Sequence, residues 1–247
     1  MRFEQCPRCA KQGKDTSKDN LAVYDDGHSY CYGCQYFQPA PKSIANMARK
    51  IRREQSWSAG EQSSLDLDGC TYALPKEPLA WLRRYGITDE EIHKNGICWN
   101  ETSNCLVFPI LDNLRVVATA SRNFSGQGPK YITKGNTKQF YKVFTNPTDI
   151  YVLVEDFVSA IKVGRHYNCC PLLGAHVPLS LILSLAWRKP RLRIWLDPDK
   201  RIEAMKFTQR ALQYIPDVAT IVADKDPKDY NNKEITEIVS GTFESPA

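Results

Sequence analysis

The chain has 247 residues, with 33 Lys and Arg against 28 Asp and Glu, nine Cys, 15 Pro and 13 Gly. A hydrophobic fraction of 42% beside 25% charged residues excludes a disordered or collagen-like chain and fits one large domain or two smaller ones. No apolar run approaches the roughly 20 residues that span a bilayer, and the opening MRFEQCPRCAKQGKD lacks the apolar core of a secretory signal. The expected location is therefore the cytoplasm, where cysteines serve as ligands or buried thiols rather than disulfides.

Residues 1–40 carry two C-x2-C pairs, Cys6-Pro-Arg-Cys9 and Cys31-Tyr-Gly-Cys34, with 21 residues between them. Two-residue spacing lets both thiolates of a pair face one ion, and two pairs complete a tetrahedral all-sulfur shell suited to one structural Zn2+. The intervening segment is too polar to form a core unaided, so metal binding supplies much of its folding energy. The alternative is four unligated thiols. Asp26-Gly27-His28 precedes the second pair, among Tyr24, Tyr30, Tyr32, Tyr36 and Phe37. Aromatic faces stack on unpaired bases, and Asp and His hydrogen-bond base edges; the same rings could instead form the small core of the ribbon. Cysteines 70, 98, 105, 169 and 170 read as packing residues.

Residues 41–76 carry Lys42, Arg49, Lys50, Arg52 and Arg53 and then a Ser/Gln/Gly tract, which reads as a flexible linker with a short basic helix at 43–54. In 77–148, PLAWLRRYGITDEEIHKNGIC predicts two short helices, the second starting at Thr88, followed by strands CLVFPIL, RVVATASRNF and KYITKG. In 149–247 the pattern alternates: strands DIYVLVED, CCPLLG, RLRIWLD and VATIVAD (218–224), each followed by a helix. Such alternation predicts βαβ units, a parallel sheet and an α/β fold.

Carboxylates fall at the ends of these strands. Asp197-Pro198-Asp199 follows RLRIWL, and residues at i and i+2 of a strand share a face. Glu155 follows IYVLV, and Asp224 and Asp226 follow VATIVA. The carboxyl ends of parallel strands are where such sheets bind ligands. Oxygen-rich sites there suit Mg2+ together with phosphates, and paired ions serve in-line phosphoryl transfer. The competing role is helix capping, for which Asp199 before a 200–214 helix is a candidate. From Arg115 to Lys142 there is no acid, while Arg122, Lys130, Lys134 and Lys138 are interleaved with Phe124, Tyr131, Phe140 and Tyr141. That pattern suits a nucleic-acid groove or a triphosphate site; the bland alternative is a solvated basic face.

DDGHSYCYGC, RYGITDEEIHKNGI, VLVED, IWLDPDK and KDPKD, spread over nearly the whole chain, resemble the primase half of the bifunctional phage primase–helicases and, more distantly, bacterial-type primases. The resemblance implies a zinc ribbon (1–40), a linker (41–76), the N-terminal subdomain of an RNA polymerase domain (77–148) and a TOPRIM subdomain (149–247). It implies a catalytic Glu155, Mg2+ ligands Asp197, Asp199 and Asp226, and template reading by Asp26, His28 and Phe37. Arg122, Lys130, Lys134 and Lys138 fall in its nucleotide- and template-binding stretch. The implied activity is synthesis of short RNA primers from NTPs on single-stranded DNA, with one or two Mg2+, or Mn2+ in their place. A separate replicative helicase and a DNA polymerase are the implied partners, because no G-x-x-x-x-G-K-[ST] motif is present; the other expectation is a piece of a longer chain. Asp156 stands where the family has Gly after its glutamate. A TOPRIM nuclease or a non-catalytic single-stranded DNA-binding protein are the alternatives.

Overall fold

A computed structural model describes residues 2–14, 16–25, 28–34, 36–38, 65, 67–112, 114–135, 141–174 and 176–241. The chain divides into two compact units, 1–61 and 62–247. The basic helix expected at 43–54 lies outside the described residues. Among the described residues no helix is long and apolar enough to cross a membrane.

The first unit is a four-stranded antiparallel meander of β1 (Arg2–Glu4), β2 (Leu21–Val23), β3 (Ser29–Cys31) and β4 (Phe37–Gln38), with the short helix α1 (Pro7–Lys11) after β1. Its buried cluster is Cys6, Cys9, Leu21 and Cys31. Burying one large aliphatic side chain contributes about 1.5–3 kcal/mol, so Leu21 cannot offset the ordering entropy of this unit. Among the described residues, the four cysteines are the group whose binding of a metal ion would supply further stability.

The second unit opens with α2 (Lys76–Arg84) and α3 (Asp89–Lys94). Thr88 starts α3 as expected: its Oγ1 accepts from the Glu91 N–H at 3.2 Å, and Glu91 Oε2 accepts from the Thr88 N–H at 2.9 Å, a capping box. Five antiparallel strands follow one another in the sheet: β5 (Cys70–Thr71), β6 (Cys98–Asn100), β7 (Cys105–Asp112), β8 (Arg115–Asn123) and β9 (Tyr131–Gly135).

The alternating second half folds into a parallel sheet of β10 (Ile150–Val154), β11 (Asn168–Pro171), β12 (Arg191–Trp195) and β13 (Asp217–Thr220), ordered β11-β10-β12-β13. Helices α4 (Phe157–Val163), α5 (Leu179–Ala186), α6 (Arg201–Ala211) and α7 (Asn232–Ser240) flank it. Every residue of β10 is buried, because Tyr151 and Leu153 pack with α5 and α6 while Ile150, Val152 and Val154 pack with α4 and α7. β13 is shorter than the predicted 218–224. Its ladder partner β12 ends at Trp195, and after the Ile221 N–H bonds the Ile194 carbonyl at 3.0 Å the paired backbone runs out.

α4 joins the two layers. All seven of its residues are buried. Phe157, Val158 and Ile161 pack against Leu82, Phe108 and Ile110, with the Phe108 and Phe157 rings 5.0 Å apart, while Ala160 and Val163 pack against the parallel sheet. Beyond β11, Phe144 exchanges backbone hydrogen bonds of 2.8 and 2.9 Å with Cys169 and covers part of that edge. The buried Asn168 side chain fixes this segment: Oδ1 accepts from the Asn146 N–H at 2.8 Å, and Nδ2 donates to the Thr148 carbonyl at 2.6 Å.

Candidate active site

The strand order creates a reversal. The chain leaves β10 for β11 on one side and returns to β12 on the other, which opens a crevice at the carboxyl ends of the strands. Glu155 immediately follows β10, Asp197 lies two residues beyond β12, and Asp226 follows β13. All three line one cavity of about 330 Å³. The rest of its wall includes Asp156 and Lys228, with Trp81 and Arg84 from α2, Arg122 from β8, and Lys130 and Tyr131.

The capping alternative applies to one acid only, and it is not among those expected to bind metal. Asp156 caps α4: its Oδ1 accepts from the N–H groups of Val158 and Ser159 at 2.8 and 2.9 Å. Neither Asp197, Asp199 nor Asp226 makes a side-chain cap. The strand-like i, i+2 relation expected for Asp197 and Asp199 does not apply, because the extended backbone stops at Asp197 and Pro198–Lys200 form a 3-10 turn. Asp199 is exposed and does not line the cavity, and it lies 3.0 Å from the Lys200 ammonium. Asp224 is likewise exposed.

Glu155 Oε2 and Asp197 Oδ1 are buried oxygens without a hydrogen-bond partner. Burial, then the charges of Asp199 and Asp156, pushes the Glu155 carboxyl above its ordinary value. Asp197 rises to about 7, chiefly from burial, with Asp226, Glu155 and Asp156 adding to the rise and Lys228 opposing it. Lys228 donates to Asp156 Oδ2 at 2.9 Å and to Asp226 Oδ2 at 2.6 Å. Burial works against its charge, yet these carboxylates hold the ammonium above its ordinary value.

On the basic wall, the Arg122 guanidinium lies 4.4 Å from the Trp81 ring and 5.4 Å from Tyr131, and its Nη1 donates to the Tyr131 hydroxyl at 2.9 Å. Its Nε is buried without a partner. Lys130 lines the same cavity. Lys134 does not: it pairs with Thr119, three residues along the ladder from the Arg122–Tyr131 pair, an odd step that puts it, exposed, on the opposite face of the sheet. Lys138 lies outside the described residues.

In the first unit, Cys6, Cys9, Cys31 and Cys34 bring their sulfurs within 4.8 Å of one another, with Cys6–Cys34 at 3.6 Å and Cys9–Cys31 at 3.7 Å. Zinc–sulfur bonds of about 2.3 Å in a tetrahedron place sulfurs about 3.8 Å apart, so the set fits one Zn2+. Among the described residues it is the one group of three or more Cys, His, Asp or Glu gathered that closely; the cavity carboxylates do not converge so far. Phe3, Ala22, Tyr30 and Phe37 form one cross-strand row, opposite in face to the buried Leu21 and Cys31. His28 stacks on Tyr24 at 4.1 Å and lies 5.9 Å from Phe37, while Tyr32 is 63% exposed. Asp26 lies outside the described residues.

Sequence reasoning passed over Trp81, Arg84 and Lys228. Trp81 and Arg84 sit in a stretch that reads first as an amphipathic helix. Lys228 is the second lysine of KDPKD, a segment whose acids drew the attention.

Compared by sequence, the chain matches no family model and no curated protein. Its fold does have counterparts. It is similar to the E. coli primase catalytic core at 17% identity, with a TM-score of 0.53 over 77% of this chain and 79% of that one. It is similar to a DNA primase domain from Pseudomonas aeruginosa at 17% identity, with a TM-score of 0.51 over 64% and 68%. A third likeness, to the DnaG catalytic core, has 16% identity and a TM-score of 0.50 over 76% and 75%. The mixed α/β fold is thus the fold of primase catalytic cores.

Proposed function

We propose that the chain is a DNA primase that condenses ribonucleoside triphosphates into short RNA on a single-stranded DNA template. The observation that carries this reading is the cavity, where acids from three adjacent strand ends meet Arg84, Arg122 and Lys130. Acids alone suit many metal sites, and cations alone suit any polyanion. Both in one crevice suit a triphosphate with a divalent ion, and the fold shared with primase cores agrees.

The two unpartnered oxygens of Glu155 and Asp197 fit a hard cation such as Mg2+. Mg2+ there supplies charge neutralisation at the phosphates and acidification of the primer hydroxyl. Arg122, held by Trp81 and Tyr131, binds phosphate with its planar fork, and Lys130 and Arg84 balance the remaining charge. Glu155, through the carboxylate oxygen not turned to the ion, accepts the proton of the primer 3′-hydroxyl as that hydroxyl's oxygen bonds the α-phosphorus and pyrophosphate leaves. In the ribbon, His28 and Phe37 read template bases on the aromatic face that Zn2+ holds in shape. A replicative helicase and a DNA polymerase on other chains are the proposed partners.

Incorporation of radiolabelled NTPs on single-stranded DNA, with and without Mg2+, tests the reading. Asp197→Ala is expected to lower Mg2+-dependent incorporation at least 100-fold while zinc content and fold persist. Undiminished synthesis by that variant, or Mg2+-dependent nicking without NTPs, overturns it.

A further inference from the structure

The acidic rim of the cavity has two unlike halves. In one half the carboxylates are already engaged. Asp156 Oδ1 accepts from two backbone N–H groups, and its Oδ2 accepts from Ser159 Oγ and from Lys228 Nζ, each at 2.9 Å. Asp226 Oδ2 accepts from the same ammonium at 2.6 Å. The Lys228 side chain is 11% exposed. Its backbone is held as well: the buried Lys162 ammonium donates to the Lys228 carbonyl at 2.7 Å and to that of Tyr230. In the other half, Glu155 Oε2 and Asp197 Oδ1 are buried and unpaired.

Two-ion phosphoryl-transfer sites place their cations about 3.5–4 Å apart and share carboxylates between them. Here an ammonium anchored at both ends occupies the Asp156–Asp226 side. A second dication there would have to displace it, since the ammonium already lies between the two carboxylates, takes one oxygen of Asp226 and completes the four bonds that saturate Asp156. We infer that Lys228 is a tethered cation standing in for the second metal ion of the cavity, which therefore takes one divalent ion, at Glu155 and Asp197. Of the three N–H donors on Lys228, two go to Asp156 and Asp226, which leaves one for a phosphate oxygen.

The inference rests on the proposed nucleotidyl-transfer reading, and counting ions separates the two. Mn2+ bound to the zinc-loaded full chain is titrated by electron paramagnetic resonance, without NTPs or template. The expected counts are one for the wild type, none for Asp197→Asn, one for Asp226→Asn and two for Lys228→Met. Two ions in the wild type overturn the inference, as does loss of the ion in Asp226→Asn or a count of one in a folded Lys228→Met. No ion in the wild type overturns the metal reading beneath it. Should Lys228→Met fail to fold, the wild-type and Asp226→Asn counts still decide.

Discussion

Asp197 is held in a place that favours its proton, and stability and function pull apart there. Its carboxyl titrates near 7 in the fold against 3.8 ordinarily. Between those values the folded chain binds the extra proton, so this group's contribution to stability is full below 3.8 and is lost as the pH rises to about 7. Asp197→Asn removes the buried charge. Its melting temperature is expected to exceed that of the wild type above pH 7, with the gain fading toward pH 4, even as nucleotidyl transfer disappears. A variant less stable than the wild type at neutral pH would contradict the burial argument. Arg122 makes a second residue-scale case, since its place over Trp81 depends on planarity as well as charge. Arg122→Lys is expected to lower kcat/KM for NTP incorporation roughly 10-fold and Arg122→Ala roughly 100-fold. Equal values for the two variants would reduce the role of Arg122 to charge alone.

At the scale of elements, Asn168 shows how a single side chain fastens an irregular segment to a regular one. Asn168→Ala leaves the half-buried Asn146 N–H and Thr148 carbonyl without this partner, and about 1–2 kcal/mol for each follows. Urea unfolding is expected to show a loss of about 2–4 kcal/mol; a loss under 1 kcal/mol would mean the segment does not depend on this bond set. The four parallel strands and their helices were legible because strands buried on both faces read as continuous apolar runs between amphipathic segments. Thr88 was legible for a similarly local reason, its capping box lying within four residues. The geometry behind the pairing of Asp197 with Asp199 was not legible, since the backbone past Pro198 tightens into a turn where the sequence reads as a continuing strand. The part played by Lys228 was not legible at all. Its partner Asp156 is 72 residues away, and only the stacking of β13 beside β12 and β10 brings the two within 2.9 Å.

At the scale of the whole molecule, the two units draw their stability from different sources. Among the described residues, the first has few buried side chains besides cysteines, while the second has apolar clusters on both faces of its parallel sheet. Chelation of Zn2+ is expected to abolish the dispersion of ribbon NMR signals and template binding, while the circular dichroism of the second unit is retained. The Cys9 thiol, raised by its hydrogen bond to Cys34 and by burial, must lose its proton to bind zinc. Zinc affinity is therefore expected to fall on acidification. Retention of the ribbon signals in the metal-free chain would remove zinc as its main support. In the second unit, α4 lies between two sheets and packs on both, so the layer that presents the cations and the layer that presents the acids share one helix. Hinge opening between them would have to strip apolar contacts from one side of that helix, so whatever enters is expected to be admitted by rotation of side chains rather than by parting of the walls.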